Sequence, residues 1–310
     1  MKKIFFTTII MILALVDAQA QQDPHYTQYM YNMNIINPAY AGSKENLSFG
    51  LLFRKQWVDI EDSPTTFTAT GHSPVAKNVG LGLSVISDKI GAVDEKNVFA
   101  DVSYTLNLVG DHKLAFGIKT GATFLDIGLL SKVSPTLQDQ LDPAFLEDVN
   151  KTSFNIGTGL FYYTNKYYVA FSVPNILKTK HFDRIVRPDG VKYGTETSHY
   201  FLTGGYVFDL SPNTKFKPFA MLKSAFNAPT SIDVSTNFLF YDKFELGATY
   251  RLDDSFGGLV NFKISDGFRI GYAYDRIVSE LKTTTPSSHE FILLFDLNFP
   301  KKVSSSPRYF

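Results

Sequence analysis

The residues of this sequence that could do chemistry are six histidines and a set of charged side chains, and cysteine is absent. A thiolate metal site is therefore impossible, and no two histidines have the spacing of paired metal ligands. Ser198 precedes His199 and Ser288 precedes His289, but neighbours on a strand point to opposite faces, so neither pair forms a nucleophile with its base. We therefore expect no enzyme, no metal and no cofactor. The histidines are His25, His72, His112, His181, His199 and His289.

The remaining candidates are charged residues inside otherwise apolar, strand-like segments. Charges that face a narrow interior must pair, so we expect a buried ladder of ion pairs that fixes the register of the last strands. The alternative is a constriction in a transport path. The ladder is predicted to contain Arg251, Asp253 or Asp254, Asp275 and Glu290. The whole candidate lumen charge network is Arg54, Lys119, Glu245, Arg251, Arg269, Asp275 and Glu290.

In the segments that position these charges, apolar and polar side chains alternate with a period of two residues. In LSFGLLFRKQW, which starts at residue 47, Ser48, Gly50, Arg54 and Gln56 fall on one face. The other face carries Leu47, Phe49, Leu51, Phe53 and Trp57. Similar runs along the chain predict about 14 strands, each of roughly the 9 to 11 residues that cross a membrane at a tilt. Their predicted centres are residues 52, 68, 84, 103, 119, 158, 170, 204, 219, 236, 247, 260, 271 and 293.

The connections between these strands alternate in length. The even connections are short, and the odd ones include the longest gaps. This alternation is typical of an outer-membrane barrel with both chain ends in the periplasm. A secreted β-sandwich is the alternative, but it would place these charges in its core or leave its aromatic residues bare. The short connections are 74–78, 110–113, 164–166, 209–214, 241–243 and 265–267; the long ones include 127–152, 175–197 and 276–288.

The composition and the first residues agree with export to the outer membrane. Lys2 and Lys3 precede an apolar run and Ala18-Gln19-Ala20, which is the pattern of a cleaved signal peptide. Basic and acidic residues number 30 each, so nothing favours nucleic acid. The predicted fold is an all-β antiparallel transmembrane barrel. The predicted divisions are 1–20 signal peptide, 21–46 periplasmic or plug segment, 47–299 barrel and 300–310 tail.

The segment QQDPHYTQYMYNMNIINPAYAG, residues 21 to 42, is too aromatic for an ordinary linker. Its tyrosines need apolar cover, and Pro38 after Asn37 favours an extended or turned entry into the first strand. We expect a plug or a periplasmic docking segment, with a plain spacer as the alternative. The candidate partner-binding or plug residues are Tyr26, Tyr29, Tyr31, Asn37, Pro38 and Tyr40.

Several motifs, in this order, resemble the PorP/SprF family of outer-membrane proteins: DPHYTQYMYNMNIINPAYAG from residue 23, FRKQW from 53, SPTTF from 63, VGLGLSVISDKIG from 79, TYRLDD from 249, GYAYD from 271 and SHEFILLF from 288. The resemblance runs from end to end. One departure is Ser87, where many relatives have Asn, and the loop 127–152 lies where members vary most.

The resemblance implies a component of the type IX secretion system that assists secretion and surface attachment of a large exported protein, of the gliding-adhesin type, without catalysis. The implied partners are that adhesin or its C-terminal domain, periplasmic components of the machine, and outer-membrane lipid. Because a barrel of about 14 strands is too narrow for a folded adhesin, we expect a docking platform rather than a conduit. The alternatives are a FadL-like channel for small or hydrophobic solutes and a purely structural outer-membrane protein.

Overall fold

A single antiparallel sheet closes on itself in the computed structural model, which describes residues 25–44, 46–128, 148–177, 198–225, 228–279 and 287–298. Strand β1 pairs with β15 to close the barrel. The strands are β1 (Asn46–Lys55), β2 (Thr65–Ala76), β3 (Val79–Ile90), β4 (Val93–Asn107), β5 (Lys113–Ile127), β6 (Val149–Tyr163), β7 (Tyr167–Val173), β8 (Tyr200–Tyr206), β9 (Phe208–Ser211), β10 (Thr214–Ala225), β11 (Ala228–Phe240), β12 (Phe244–Arg251), β13 (Ser255–Ser265), β14 (Phe268–Ile277) and β15 (Ser287–Asn298).

Strands β8 and β9 are one crossing that is interrupted at Val207, since both pair with β10. The barrel therefore has 14 crossings, and the predicted fold class is confirmed. Every predicted strand centre lies within an observed strand. The predicted length of roughly 9 to 11 residues was wrong for several strands: β4, β5 and β6 have 15 residues each, whereas β7 has 7.

The outer face of the barrel is apolar, although some apolar strand residues also point inward. On β1, Phe49 and Phe53 are exposed, whereas their neighbours Ser48 and Arg54 are buried. This arrangement suits a barrel in lipid, where the exterior is apolar and the interior is polar. Aromatic rings also stack from strand to strand on the outside, as between Tyr167 and Tyr206, whose centroids are 5.9 Å apart. Such aromatic belts are typical of membrane interfaces.

The two rims of the barrel differ in their connections. We call the end where β1 begins and β15 ends the terminal rim, and the opposite end the loop rim. The terminal rim has only short turns: 77–78, 108–112, 164–166, 212–213, 241–243 and 266–267. The loop rim has the connections 56–64, 91–92, 128–148, 174–199, 226–227, 252–254 and 278–286, so the long gaps lie there as predicted. The described residues do not include 1–20, 300–310 or most of the loops 127–152 and 175–197.

Residues 25–44, which we call the plug, fold into three short turns before β1. These are a 3₁₀ turn at Tyr29–Tyr31, an α-helical turn at Met33–Ile36 and a second 3₁₀ turn at Pro38–Tyr40. The Asn37 side chain accepts a 2.9 Å hydrogen bond from the backbone N–H of Ala39, and Pro38 at the first position needs no donor partner. Among the described residues, no helix is long and apolar enough to cross a membrane.

The plugged lumen as candidate functional site

The plug lies inside the barrel, because it contacts strands on every side and is buried along nearly its whole length. The backbone carbonyl of Ile36 accepts from Ser172 on β7, and that of Ala41 accepts from Ser103 on β4. On the other side of the lumen, Tyr31 hydrogen-bonds to Glu245 on β12. The structure places all six candidate plug residues in this buried segment: Tyr26, Tyr29, Tyr31, Asn37, Pro38 and Tyr40.

Glycines on the inner wall make room for the plug backbone. A Cβ at Gly117 would lie 2.2 Å from the backbone nitrogen of Ala39, and one at Gly80 would lie 2.1 Å from the carbonyl oxygen of Ala41. At Gly159, a Cβ would lie 2.1 Å from the side-chain oxygen of Asn37. Strands β3, β5 and β6 therefore form a smooth face on which residues 37 to 41 rest. The sequence shows these glycines, but not what approaches them.

The first charge cluster, which we call the latch, holds the start of the plug and consists of Thr27, Gln28, Arg54, Asp275 and Glu290. Arg54 forms ion pairs of 2.9 Å with Asp275 and 3.0 Å with Glu290. The Glu290 carboxylate accepts the backbone N–H groups of Thr27 at 2.9 Å and Gln28 at 2.8 Å. The Thr27 hydroxyl accepts from Arg54 at 2.8 Å and donates to Asp275 at 2.5 Å. The latch joins the plug to the seam between β1 and β15.

A second cluster surrounds the Tyr31 hydroxyl. The Lys217 ammonium lies 3.0 Å from the Glu245 carboxylate and donates to the Tyr31 hydroxyl at 3.0 Å. Asn237 donates to Glu245 at 2.7 Å. The Arg269 guanidinium lies 5.7 Å from the centre of the Tyr31 ring, which is cation–π distance. Lys217 is a member that the sequence reasoning missed, although its position inside an alternating segment was a signal for it.

A third cluster lies between β4, β5 and the plug. The Lys119 ammonium forms a 2.9 Å ion pair with Asp101, whose backbone is directly opposite. Asp101 also accepts from the Asn34 amide at 3.0 Å, and Lys119 donates to the Asn34 carbonyl at 3.2 Å. Both charges are therefore compensated by each other and by the plug, as buried charges require.

Of the predicted ladder of the last strands, Arg251 and Asp254 pair with each other, whereas Asp275 and Glu290 have another partner. Arg251 pairs with Asp233 at 2.9 Å and with Asp254 at 3.3 Å. Asp275 and Glu290 instead pair with Arg54 in the latch. Asp253 lies in the turn 252–254 with a positive φ of 58°. The ladder is divided because β15 pairs with β1 when the barrel closes, which brings a cation from the other end of the chain.

The histidines are dispersed, and no group of three or more metal-ligating side chains occurs among the described residues. His72 accepts from the backbone N–H of Gly42, and His112 and His289 hydrogen-bond to tyrosines. His25 stands at the start of the plug; burial lowers its pKa well below the ordinary value of 6.5, and nearby cations lower it further. His181 lies outside the described residues.

A closed antiparallel barrel with an apolar exterior and a polar, plugged interior defines a β-barrel protein of the outer membrane. The chain belongs to the PorP/SprF family. Residues 18–295 match this family, which is described as "Type IX secretion system membrane protein PorP/SprF". The resemblance read from the motifs is thereby confirmed. The protein is accordingly an outer-membrane barrel of the type IX secretion system. No curated protein matches the sequence.

Solved structures show the same fold at low sequence identity. The chain is similar to the CymD monoaromatic hydrocarbon channel, with a TM-score of 0.54 and 12% identity, over 88% of this chain and 93% of that one. It is also similar to the toluene transporter TbuX of Ralstonia pickettii, with a TM-score of 0.50 and 11% identity, over 85% of this chain and 92% of that one. Likenesses at this identity show the barrel fold alone.

Proposed function

We propose that the protein is a docking component of the type IX secretion system, which assists secretion and surface attachment of a large exported protein without conducting it. The observation that carries this proposal is the plug. Met30 and Ala39 of the plug have no exposed surface, and charged wall residues are paired around it. An exported polypeptide therefore has no open path through the lumen in this structure, so its contacts belong at the rims.

The orientation that we propose puts the terminal rim in the periplasm and the loop rim outside the cell. The short turns at one end and the long connections at the other support this orientation, because outer-membrane barrels have short periplasmic turns. In this arrangement, the loops that contain 127–152 and 175–197 hold the exported adhesin or its C-terminal domain.

The terminal rim carries bare apolar side chains that support contact with periplasmic components of the machine. Val109 is 90% exposed in the turn between β4 and β5, and Tyr241 is 70% exposed in the turn between β11 and β12. Apolar groups at turn tips lie beyond the strands that lipid covers, and exposed apolar groups often mark protein contacts. Lys166 and Asp209 at the same rim form an exposed ion pair at 3.2 Å.

The experiment is affinity purification from a secreting cell after mild cross-linking. We expect both an exported protein and a periplasmic machine component to be recovered. The double variant V109D and Y241D should lose the machine component but keep the exported protein. The matched control changes the exposed turn residue Lys77 to Asp and should keep both. Recovery of the barrel with neither partner attached would contradict the docking role.

A solute channel is the second candidate, favoured by the likeness of this fold to that of the CymD channel. The same plug that closes the lumen to polypeptides would have to move for a solute to pass. Conductance of the purified barrel in a planar bilayer, or uptake of a hydrophobic solute that is lost on deletion of the gene, would favour this candidate. An absence of conductance together with unchanged solute uptake after deletion of the gene would favour docking.

A further inference from the structure

The carboxyl-terminal end of the plug lies at the terminal rim. The Lys44 ammonium is 3.4 Å from the carboxylate of Asp296, near the end of β15. A Cβ at Gly42 would lie 2.5 Å from the Cα of Gly80, near the start of β3. Both wall residues belong to the end of the barrel where β1 begins.

The amino-terminal end of the plug lies at the loop rim, whereas the expectation of two periplasmic chain ends places the start of the mature chain at the terminal rim. Thr27 contacts Arg54, Asp275 and Glu290, each of which is within three residues of the loop-rim end of its strand. The cations that lower the pKa of His25 belong to the same end of the barrel. They are Lys223, Arg251 and Arg54.

The plug therefore runs through the barrel from one rim toward the other. Glu290 and Asp296, which mark its two ends on β15, are six residues apart along one strand. At about 3.4 Å per residue, this corresponds to about 20 Å along the strand. A segment that only covered the mouth at the terminal rim would not reach Glu290.

The latch is built to hold a peptide backbone. It contains two carboxylates and one guanidinium, so when both acids are ionised its three wall side chains carry a net charge of −1. The plug supplies hydrogen-bond donors to that charge: the N–H groups of Thr27 and Gln28 reach Glu290, and the Thr27 hydroxyl reaches Asp275. Hydrogen bonds from neutral donors to an ionised acceptor are among the stronger ones in proteins. The ligand class is thus a turn with two successive free amides and a hydroxyl.

We propose that the latch is a binding site for the amino-terminal end of the plug at the loop rim, and that its release opens the lumen from that rim first. The contacts of Tyr31 with Glu245 and of Lys44 with Asp296 lie nearer the terminal rim and hold the rest of the plug when the latch is open. A partner seated on the loop rim reaches the plug at this end without crossing the barrel. The release of the latch does not depend on which exported protein docks on the barrel.

The test uses single-cysteine variants, because the chain has no cysteine of its own. Barrels in sealed membranes of one orientation are treated from one side with a membrane-impermeant maleimide. References are D59C in the exposed loop at the loop rim and K77C in the exposed turn at the terminal rim. We expect H25C to react from the same side as D59C, and K44C from the same side as K77C. Reaction of H25C from the side of K77C would overturn the proposal.

The latch itself is tested by the rate of H25C labelling. E290Q removes the charge that accepts the two amides, and T27V removes the hydroxyl that bridges Arg54 and Asp275 while leaving the barrel wall intact. We expect at least a tenfold faster reaction of H25C in either background and an unchanged rate for K44C. Equal H25C rates with and without T27V would overturn the latch, even if E290Q failed to fold. The side on which D59C reacts tests the proposed orientation separately.

Discussion

The wall glycine Gly117 gives the sharpest quantitative test of plug packing. In G117A, the new Cβ would lie 2.2 Å from the backbone nitrogen of Ala39 and 2.4 Å from the carbonyl carbon of Pro38. Ordinary contacts begin at 3.4 Å, so the turn at Pro38–Tyr40 must move by about 1.2 Å or leave the wall. Overpacking of this kind costs about 1 to 3 kcal/mol, which raises the population of undocked plug by about 5- to 160-fold.

The assay is amide hydrogen exchange in peptides that cover residues 33 to 41, measured on the purified barrel. Exchange in these peptides should accelerate by the same factor in G117A, because undocking exposes their amides. The matched control is G258A, whose new Cβ would lie 3.6 Å from the carbonyl of Gly247 in ordinary contact. Wild-type exchange rates in G117A would refute the close approach between the plug and β5.

Two further predictions concern charge. D101N leaves the Lys119 ammonium buried without its partner and should lower the free energy of unfolding by about 3 to 5 kcal/mol. The double variant D101N/K119M should recover most of this loss. Additive losses in a double-mutant cycle would contradict the pairing. His25 is neutral in the docked plug and protonates below pH 6.5 when the plug is undocked, so the undocked state binds more protons. Plug docking should therefore weaken by up to about 1.4 kcal/mol per pH unit below 6.5, as read from hydrogen exchange, and H25Q should remove this dependence.

The fold could be predicted from the sequence because its signal is local. An alternation such as that of β1 needs only neighbouring residues, and the lipid outside selects the apolar face whatever the partner strand is. Strand lengths were harder to predict, since β7 ends at Val173 and pairs with β8 only as far as Phe201. The alternation of side chains in β7 does not show where its pairing with β8 ends.

The partners inside the lumen could not be predicted, because they depend on closure. Arg54 is distant in sequence from Asp275 and Glu290 and meets them only when β1 pairs with β15. The aromatic content of the plug indicated a need for cover. The route of the plug depends on where Gly117 and Gly159 leave room, and a period of two does not distinguish a glycine beside an empty lumen from one beside a backbone.

We propose that an exported protein docks on the rims and does not pass through the barrel. The most direct measurement is site-specific photo-cross-linking in secreting cells, with the photoreactive residue at Glu61 on the loop rim or at Ser235 on the buried inner wall. The docking account predicts adducts with an exported protein at position 61 and none at position 235. Adducts at position 235 would show polypeptide inside the lumen and would contradict it.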